Sequence, residues 1–205
     1  MVNLLIATRN RAKAERLRTI CLGAGVVCID PGSAADAPTV DETGGSHLAI
    51  AVQKAVAWSR LHGGVAIASD GGLVIPALGD DWLSLVTRRA TGGDVSDEEH
   101  AARLLRRMGG LHGDKRSANW TEAIAVARKG SILGAWEASG LHGSISGRYN
   151  PSSLATPGFW VSGLWLSAIS RRALWELSAQ ERIQENDPWS TLAGPVAELL
   201  RRLQD

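Results

Sequence analysis

The order of elements at the start of the chain constrains its fold more than any other feature: an apolar run, a polar break, a helical pattern and a second apolar run. Val2 to Ala7 reads as a buried strand. Thr8-Arg9-Asn10 then leads into a helix over about residues 11 to 22, where Ala14, Leu17, Ile20 and Cys21 recur at helical spacing. Val26 to Ile29 gives the next strand, followed by a Pro, Gly and Asp-rich loop ending at Asp41-Glu42-Thr43-Gly44-Gly45. A loop of that length points to function.

Downstream the alternation continues. Ser46 is a plausible N-cap for an alanine-rich helix to Leu61, with Leu48, Ala51, Val52, Ala55 and Trp58 on one face and Lys54 among them. Val65 to Ala68 reads as a strand running into Ser69-Asp70-Gly71-Gly72, with a further strand over Leu73 to Ala77, so Asp70 is expected at a strand end beside a glycine turn. Ser96-Asp97-Glu98-Glu99 opens a helix to Met108 that Gly109-Gly110 ends, because acids favour the positive helix start and glycine its end. Residues 116 to 128 and 131 to 146 alternate apolar and polar, which predicts a long antiparallel hairpin closed near Lys129-Gly130. From Ser170 onward the chain reads as helical, broken at Asp187-Pro188, with a last helix over about 191 to 203. One α/β domain over residues 1–205, built on an elongated central mixed sheet with helices packed around two lobes, fits this order.

Composition narrows the function. Twenty-two Lys and Arg against 21 Asp and Glu give a formal charge of +1, which does not supply the broad positive field of a binder of nucleic-acid polymers. Cys21 and Cys28 form neither a disulfide framework nor a zinc spacing, and no apolar run approaches the ~20 residues that span a bilayer, so a reduced cytoplasmic setting without membrane insertion is expected. His47, His62, His100, His112 and His142 show no metal-ligand spacing and read as solvated or structural. Eight of the ten aromatic residues are Trp; filling the core is the favoured reading for them, and a stacking surface for a base the alternative.

Two groups of polar residues suggest chemistry. Thr8, Asn10 and Lys13 flank a strand-to-helix junction whose backbone N–H groups favour an anion, and their side chains add donors and a positive charge; a simple capped helix explains the same pattern. Glu42, Lys54 and Asp70 combine two carboxylates with a lysine, a set suited to magnesium-assisted attack of water on a phosphoanhydride. Singly, each reads more readily as a loop acid, a surface lysine and a turn residue respectively.

Order and spacing together make the set more specific. Ala7-Thr8-Arg9-Asn10-Arg11-Ala12-Lys13, Glu42-Thr43-Gly44, Ile50-Ala51-Val52-Gln53-Lys54-Ala55, Ser69-Asp70-Gly71-Gly72-Leu73 with Ala77-Leu78, and Arg116-Ser117-Ala118-Asn119-Trp120 follow one another as the motifs of the inosine triphosphate pyrophosphatase family do, and the chain resembles that family over most of its length. The resemblance implies a two-lobed homodimer in the cytoplasm, with a nucleotide cleft between the lobes. It also implies hydrolysis of a nucleoside triphosphate to monophosphate and pyrophosphate with Mg2+. By the same resemblance Thr8, Asn10, Lys13 and Lys54 hold the triphosphate with Gly71 beside it, Glu42 and Asp70 bind the metal, and Asp70, Lys54 and Lys13 carry the catalysis.

Several positions depart from the family pattern. Ser69 stands for the first aspartate of a pair, Gly71 for a serine and Ile50 for an asparagine. At the base end, Gly158-Phe159-Trp160-Val161-Ser162-Gly163 and Ser170-Arg171-Arg172 replace the family's purine-holding motifs, leaving Phe159, Trp160, Ser170 and Arg171 as the candidate base contacts. A pocket that lacks a hydrogen-bond partner changes its substrate. The expectation is therefore a triphosphate pyrophosphatase with altered base specificity, extending to a modified nucleotide; the alternatives are another nucleotide phosphohydrolase on the same fold or a catalytically weak nucleotide binder.

Overall fold

The computed structural model describes residues 3–30, 38, 40, 44–150 and 159–204. Its elements run β1 (Leu4–Ile6), α1 (Arg11–Gly23), β2 (Cys28–Ile29), α2 (His47–His62), β3 (Val65–Val74), α3 (Thr87–Ala90), α4 (Asp97–Arg107), β4 (Ser117–Arg128), β5 (Ser131–Ile145), β6 (Trp165–Ser167), α5 (Ala179–Ile183) and α6 (Pro188–Arg202). The sheet has the order β2-β1-β3-β4-β5-β6 and is mixed: β1 pairs in parallel with β2 and β3, and β5 pairs antiparallel with β6. The expected α/β class with a mixed sheet is therefore the observed one.

The chain divides into two compact units, one of Met1–Gly71, Glu122–Ala138 and Trp189–Asp205, the other of Gly72–Thr121 and Ser139–Pro188. In the first unit the alternation of strand side chains gives the sheet two unlike faces. One carries Leu4, Ile6, Val65, Ile67, Ile124 and Val126 against Leu17, Ile20 and Cys21 of α1 and Trp189, Leu192, Val196 and Leu200 of α6. Each such large aliphatic side chain contributes about 1.5–3 kcal/mol when fully buried. The opposite face carries Leu5 and six alanines, Ala7, Ala66, Ala68, Ala123, Ala125 and Ala127, against Ala51, Ala55 and Trp58 of α2. Alanine on both partners lets the α2 backbone lie close to the strands.

The second unit has its own core: Leu73, Ile75 and Trp82, then Ala101 and Leu104 from α4 with Met108 at its end, Trp120, Leu141, Ile145, Trp160, Val161, Leu164 and Trp165. The Trp82 indole donates to the Leu73 carbonyl at 2.8 Å, so its polar handle is satisfied within the core. Core filling is thus the role of most tryptophans; Trp175, 40% exposed, is an exception.

The hairpin forms as its alternation predicts. Lys129 (φ 50°) and Gly130 (φ 86°) both take positive φ, the tight turn that matches strand twist, and the Gly130 N–H donates to Ser59 Oγ at 2.9 Å.

Two expectations are corrected. Residues 65 to 77 do not form two strands around a glycine turn, because β3 runs unbroken through Ser69-Asp70-Gly71-Gly72. Gly72 is there for close approach: a Cβ would overlap the Ser84 carbonyl oxygen. The stretch after Ser170 is not uniformly helical. The Ser167 hydroxyl accepts from the backbone N–H groups of Ile169 and Ser170, and Arg171 turns the chain at φ 60°, so only a 3-10 turn at Leu174–Glu176 precedes the short α5 and α6. Pro188 opens α6, where its missing N–H costs nothing.

Candidate active site

The phosphate-type residues gather in the first unit. Asn10 is the N-cap of α1: its Oδ1 accepts from the Lys13 backbone N–H at 3.1 Å, while Thr8 Oγ1 accepts from the Asn10 N–H at 3.1 Å. The capped-helix reading therefore holds, and it leaves the Thr8 hydroxyl proton and the Asn10 amide hydrogens outside those two bonds. Lys13, in the first turn, lies on the same face of α1 as Leu17 and reaches inward, where its Nζ stands 3.1 Å from Glu122 Oε1 of β4.

On the alanine face, α2 brings a second set together. Ser46 caps the helix by accepting from Ala49 N at 3.1 Å, and Glu137 of β5 accepts from Leu48 N at 2.9 Å, which fixes the first turn. His47 and Lys54 then fall seven residues apart on one helix face. Both meet Asp70 of β3: His47 Nδ1 lies 2.6 Å from Oδ2, and Lys54 Nζ donates to Oδ1 at 2.7 Å. Against an ionised carboxylate, Nδ1 carries the proton.

Asp70 is 8% exposed. Burial by itself pushes its carboxyl pKa up, but the hydrogen bond from His47 and the charges of Lys13 and Lys54 outweigh burial and hold it below the ordinary aspartate value. The Asp70 side chain is accordingly a carboxylate at neutral pH, oriented through both oxygens. Ser69, one residue earlier, points to the opposite face and is 2% exposed; among the described residues its hydroxyl has no hydrogen-bond partner.

Thr8, Asn10, Lys13, Lys54, Asp70 and Gly71 thus belong to the first unit. Glu42 lies outside the described residues. The base-end candidates belong to the second unit. Trp160 is 5% exposed and stacks on His100, with centroids 5.5 Å apart, and Phe159 meets Trp120 edge-on at 5.1 Å. Ser170 and Arg171 sit in the turn that the Ser167 hydroxyl organises.

The sequence reading overlooked two residues. His47 is buried, not solvated, and contacts the Asp70 carboxylate directly; its signal is position, two helical turns before Lys54 on the same face. Glu122 was not singled out; its signal is a lone carboxylate in the otherwise apolar row Trp120, Ile124, Val126 of β4.

Comparisons with known proteins identify the family. Residues 4–160 match the model of the Ham1 family. A dITP/XTP pyrophosphatase of Symbiobacterium thermophilum is 32% identical over 202 residues, covering 98% of this chain and 94% of that protein. One of Geobacillus kaustophilus is 35% identical over 139 residues, 68% of each chain. Among solved structures, a HAM1 protein from Coxiella burnetii shares the fold with a TM-score of 0.76 at 21% identity, covering 97% of this chain and all of that one. A nucleoside-triphosphatase / dITP/XTP pyrophosphatase from Mycobacterium abscessus has a TM-score of 0.68 at 25% identity, with 98% and 99% covered. Matched motifs, overall fold and relatives coincide, and the chain belongs to the Ham1 family, the inosine triphosphate pyrophosphatase family of hydrolases.

Proposed function

We propose that the protein is a nucleoside triphosphate pyrophosphatase that splits the anhydride between the α- and β-phosphates, yielding monophosphate and pyrophosphate. The observation that carries this reading is the Asp70 carboxylate, buried and fixed between Lys54 and His47 with the charge of Lys13 acting on it. Lys13 and Lys54 attract the phosphate chain, and Thr8 and Asn10 donate to it. A carboxylate held below its ordinary pKa is a weak proton acceptor at neutral pH, so Asp70 acts as an oriented acceptor for water or as a metal ligand rather than as a strong base.

Magnesium fits this donor set as an ion shared with substrate. Among the described residues no three His, Cys, Asp or Glu side chains cluster to hold a metal by themselves. Mg2+ needs no such cage, since it is bound through one or two carboxylates together with phosphate oxygens. Asp70, with Glu42, would hold it, and the ion would neutralise phosphate charge and polarise the anhydride.

The altered residues at 158–163 and 170–172 support a base preference different from that of the relatives, extending to a modified base. The resemblance also carries a homodimer and a cytoplasmic setting into this reading. Among the described residues, no helix is long and apolar enough to cross a membrane.

The test is magnesium-dependent release of pyrophosphate and of orthophosphate from a panel of ordinary, deaminated and modified nucleoside mono-, di- and triphosphates. Pyrophosphate from one or more triphosphates, abolished by Asp70→Asn, is the expected result. Orthophosphate as the product identifies a different phosphohydrolase, and nucleotide binding without turnover identifies a binding protein.

A further inference from the structure

Two lysine–carboxylate pairs occupy the first unit, one on each face of its sheet. Lys54 with Asp70 lies on the alanine face; Lys13 with Glu122 lies on the other. Glu122 belongs to none of the motifs that carry the family resemblance. Its side chain is 0% exposed and that of Lys13 is 19% exposed, so Lys13 is the more exposed member of the pair.

Stability does not account for the pair. Lys13 continues the inward row of α1 that holds Leu17 and Ile20, and Glu122 continues the β4 row of Ile124 and Val126. Apolar residues at both positions would extend that core, and exchanging a buried ion pair for packed apolar side chains is often neutral or stabilising. The consequence is electrostatic. Each lysine read as a phosphate holder has a more buried carboxylate directly against it, so part of the positive charge that a bare polyphosphate meets at this end is offset from behind.

We propose that Glu122 is a positioning and specificity residue: acting through Lys13, it makes the phosphate end of the site favour the metal-loaded polyphosphate over the metal-free one. A divalent cation lowers the charge of the chain it accompanies and is itself drawn toward carboxylates, so the same buried charge that opposes the bare anion favours the loaded one. The inference rests on the reading of Thr8, Asn10, Lys13, Lys54 and Asp70 as that phosphate end.

The experiment uses the full chain and inorganic tripolyphosphate, which has no base, titrated by calorimetry with magnesium or with a chelator. Wild type is expected to bind the magnesium-loaded chain about tenfold or more tighter than the free one. Glu122→Gln raises metal-free affinity about tenfold and brings the two affinities close together. Glu122→Asp, which keeps the charge, retains the wild-type preference; Glu122→Met, neutral and of similar length, repeats the Gln result and serves if the Gln protein does not fold. A folded neutral variant with the wild-type ratio overturns the role of Glu122, and so does an equal loss of affinity under both conditions, the mark of a merely structural support for Lys13. Wild type that binds tripolyphosphate under neither condition overturns the phosphate-end reading, and the inference with it.

Discussion

The two faces of the sheet in the first unit do similar work with different materials. On one, branched side chains fill a thick core under α1 and α6, and a lysine–carboxylate pair ends the row. On the other, alanines bring α2 close to the strands, and a lysine and a histidine converge on one aspartate at 2.6–2.7 Å. The aliphatic face has bulk, and the alanine face has proximity. Stability and positioning are thereby assigned to opposite sides of the same strands.

Substitutions on the two faces should therefore differ in kind. The largest effect is expected from Lys54→Met, which removes a charge from the alanine face at the point of convergence; kcat/KM for the preferred triphosphate should fall by about 10²–10³ in steady-state assays. An unchanged kcat/KM would detach Lys54 from the chemistry. Next, Ala125→Leu on the same face should cost about 1–3 kcal/mol by overpacking against α2, read from urea denaturation. Its neighbour Ile124→Val, on the thick face, should cost only about 0.5–1.5 kcal/mol. Equal costs would mean that the alanine face is not closely packed.

The smallest effect concerns acid. Asp70 has a depressed folded-state pKa, so its contribution to stability is present above the unfolded value of about 3.9 and is lost as pH falls through the folded value. His47→Phe removes the hydrogen bond that offsets burial, which raises the folded pKa and moves the acid limb of the stability curve to higher pH. Urea midpoints collected between about pH 3 and 7 for wild type and variant read this directly. Superimposable curves would show that the His47 contact does not hold the carboxylate down.

How much of this was legible in the sequence depends on which period carried the information. The hairpin could be read because residues 116 to 146 alternate and Lys129-Gly130 marks the turn; the last helix could be read too, although Pro188, expected as a break before a start near 191, is its first residue. The polar set Thr8, Asn10, Lys13, Lys54 and Asp70 could be read because it follows a known order. The unbroken β3 could not: paired glycines usually punctuate, and only the carbonyl of Ser84, twelve residues beyond Gly72, shows why one is needed inside a strand. His47 and Glu122 were hidden for a related reason. A histidine beginning a helix and a glutamate within a strand look unremarkable until the sheet brings Asp70 and Lys13 to them.

The alanine face also sets a limit on engineering. Added bulk there pushes α2 away from the strands and lengthens the contacts of 2.6–2.7 Å that His47 and Lys54 make with Asp70. A library screened only for melting temperature would rank such variants by their overpacking cost and would not register the lengthened contacts at Asp70. The six alanines are a ruler for the site, and an error in it would be read in turnover as well as in folding.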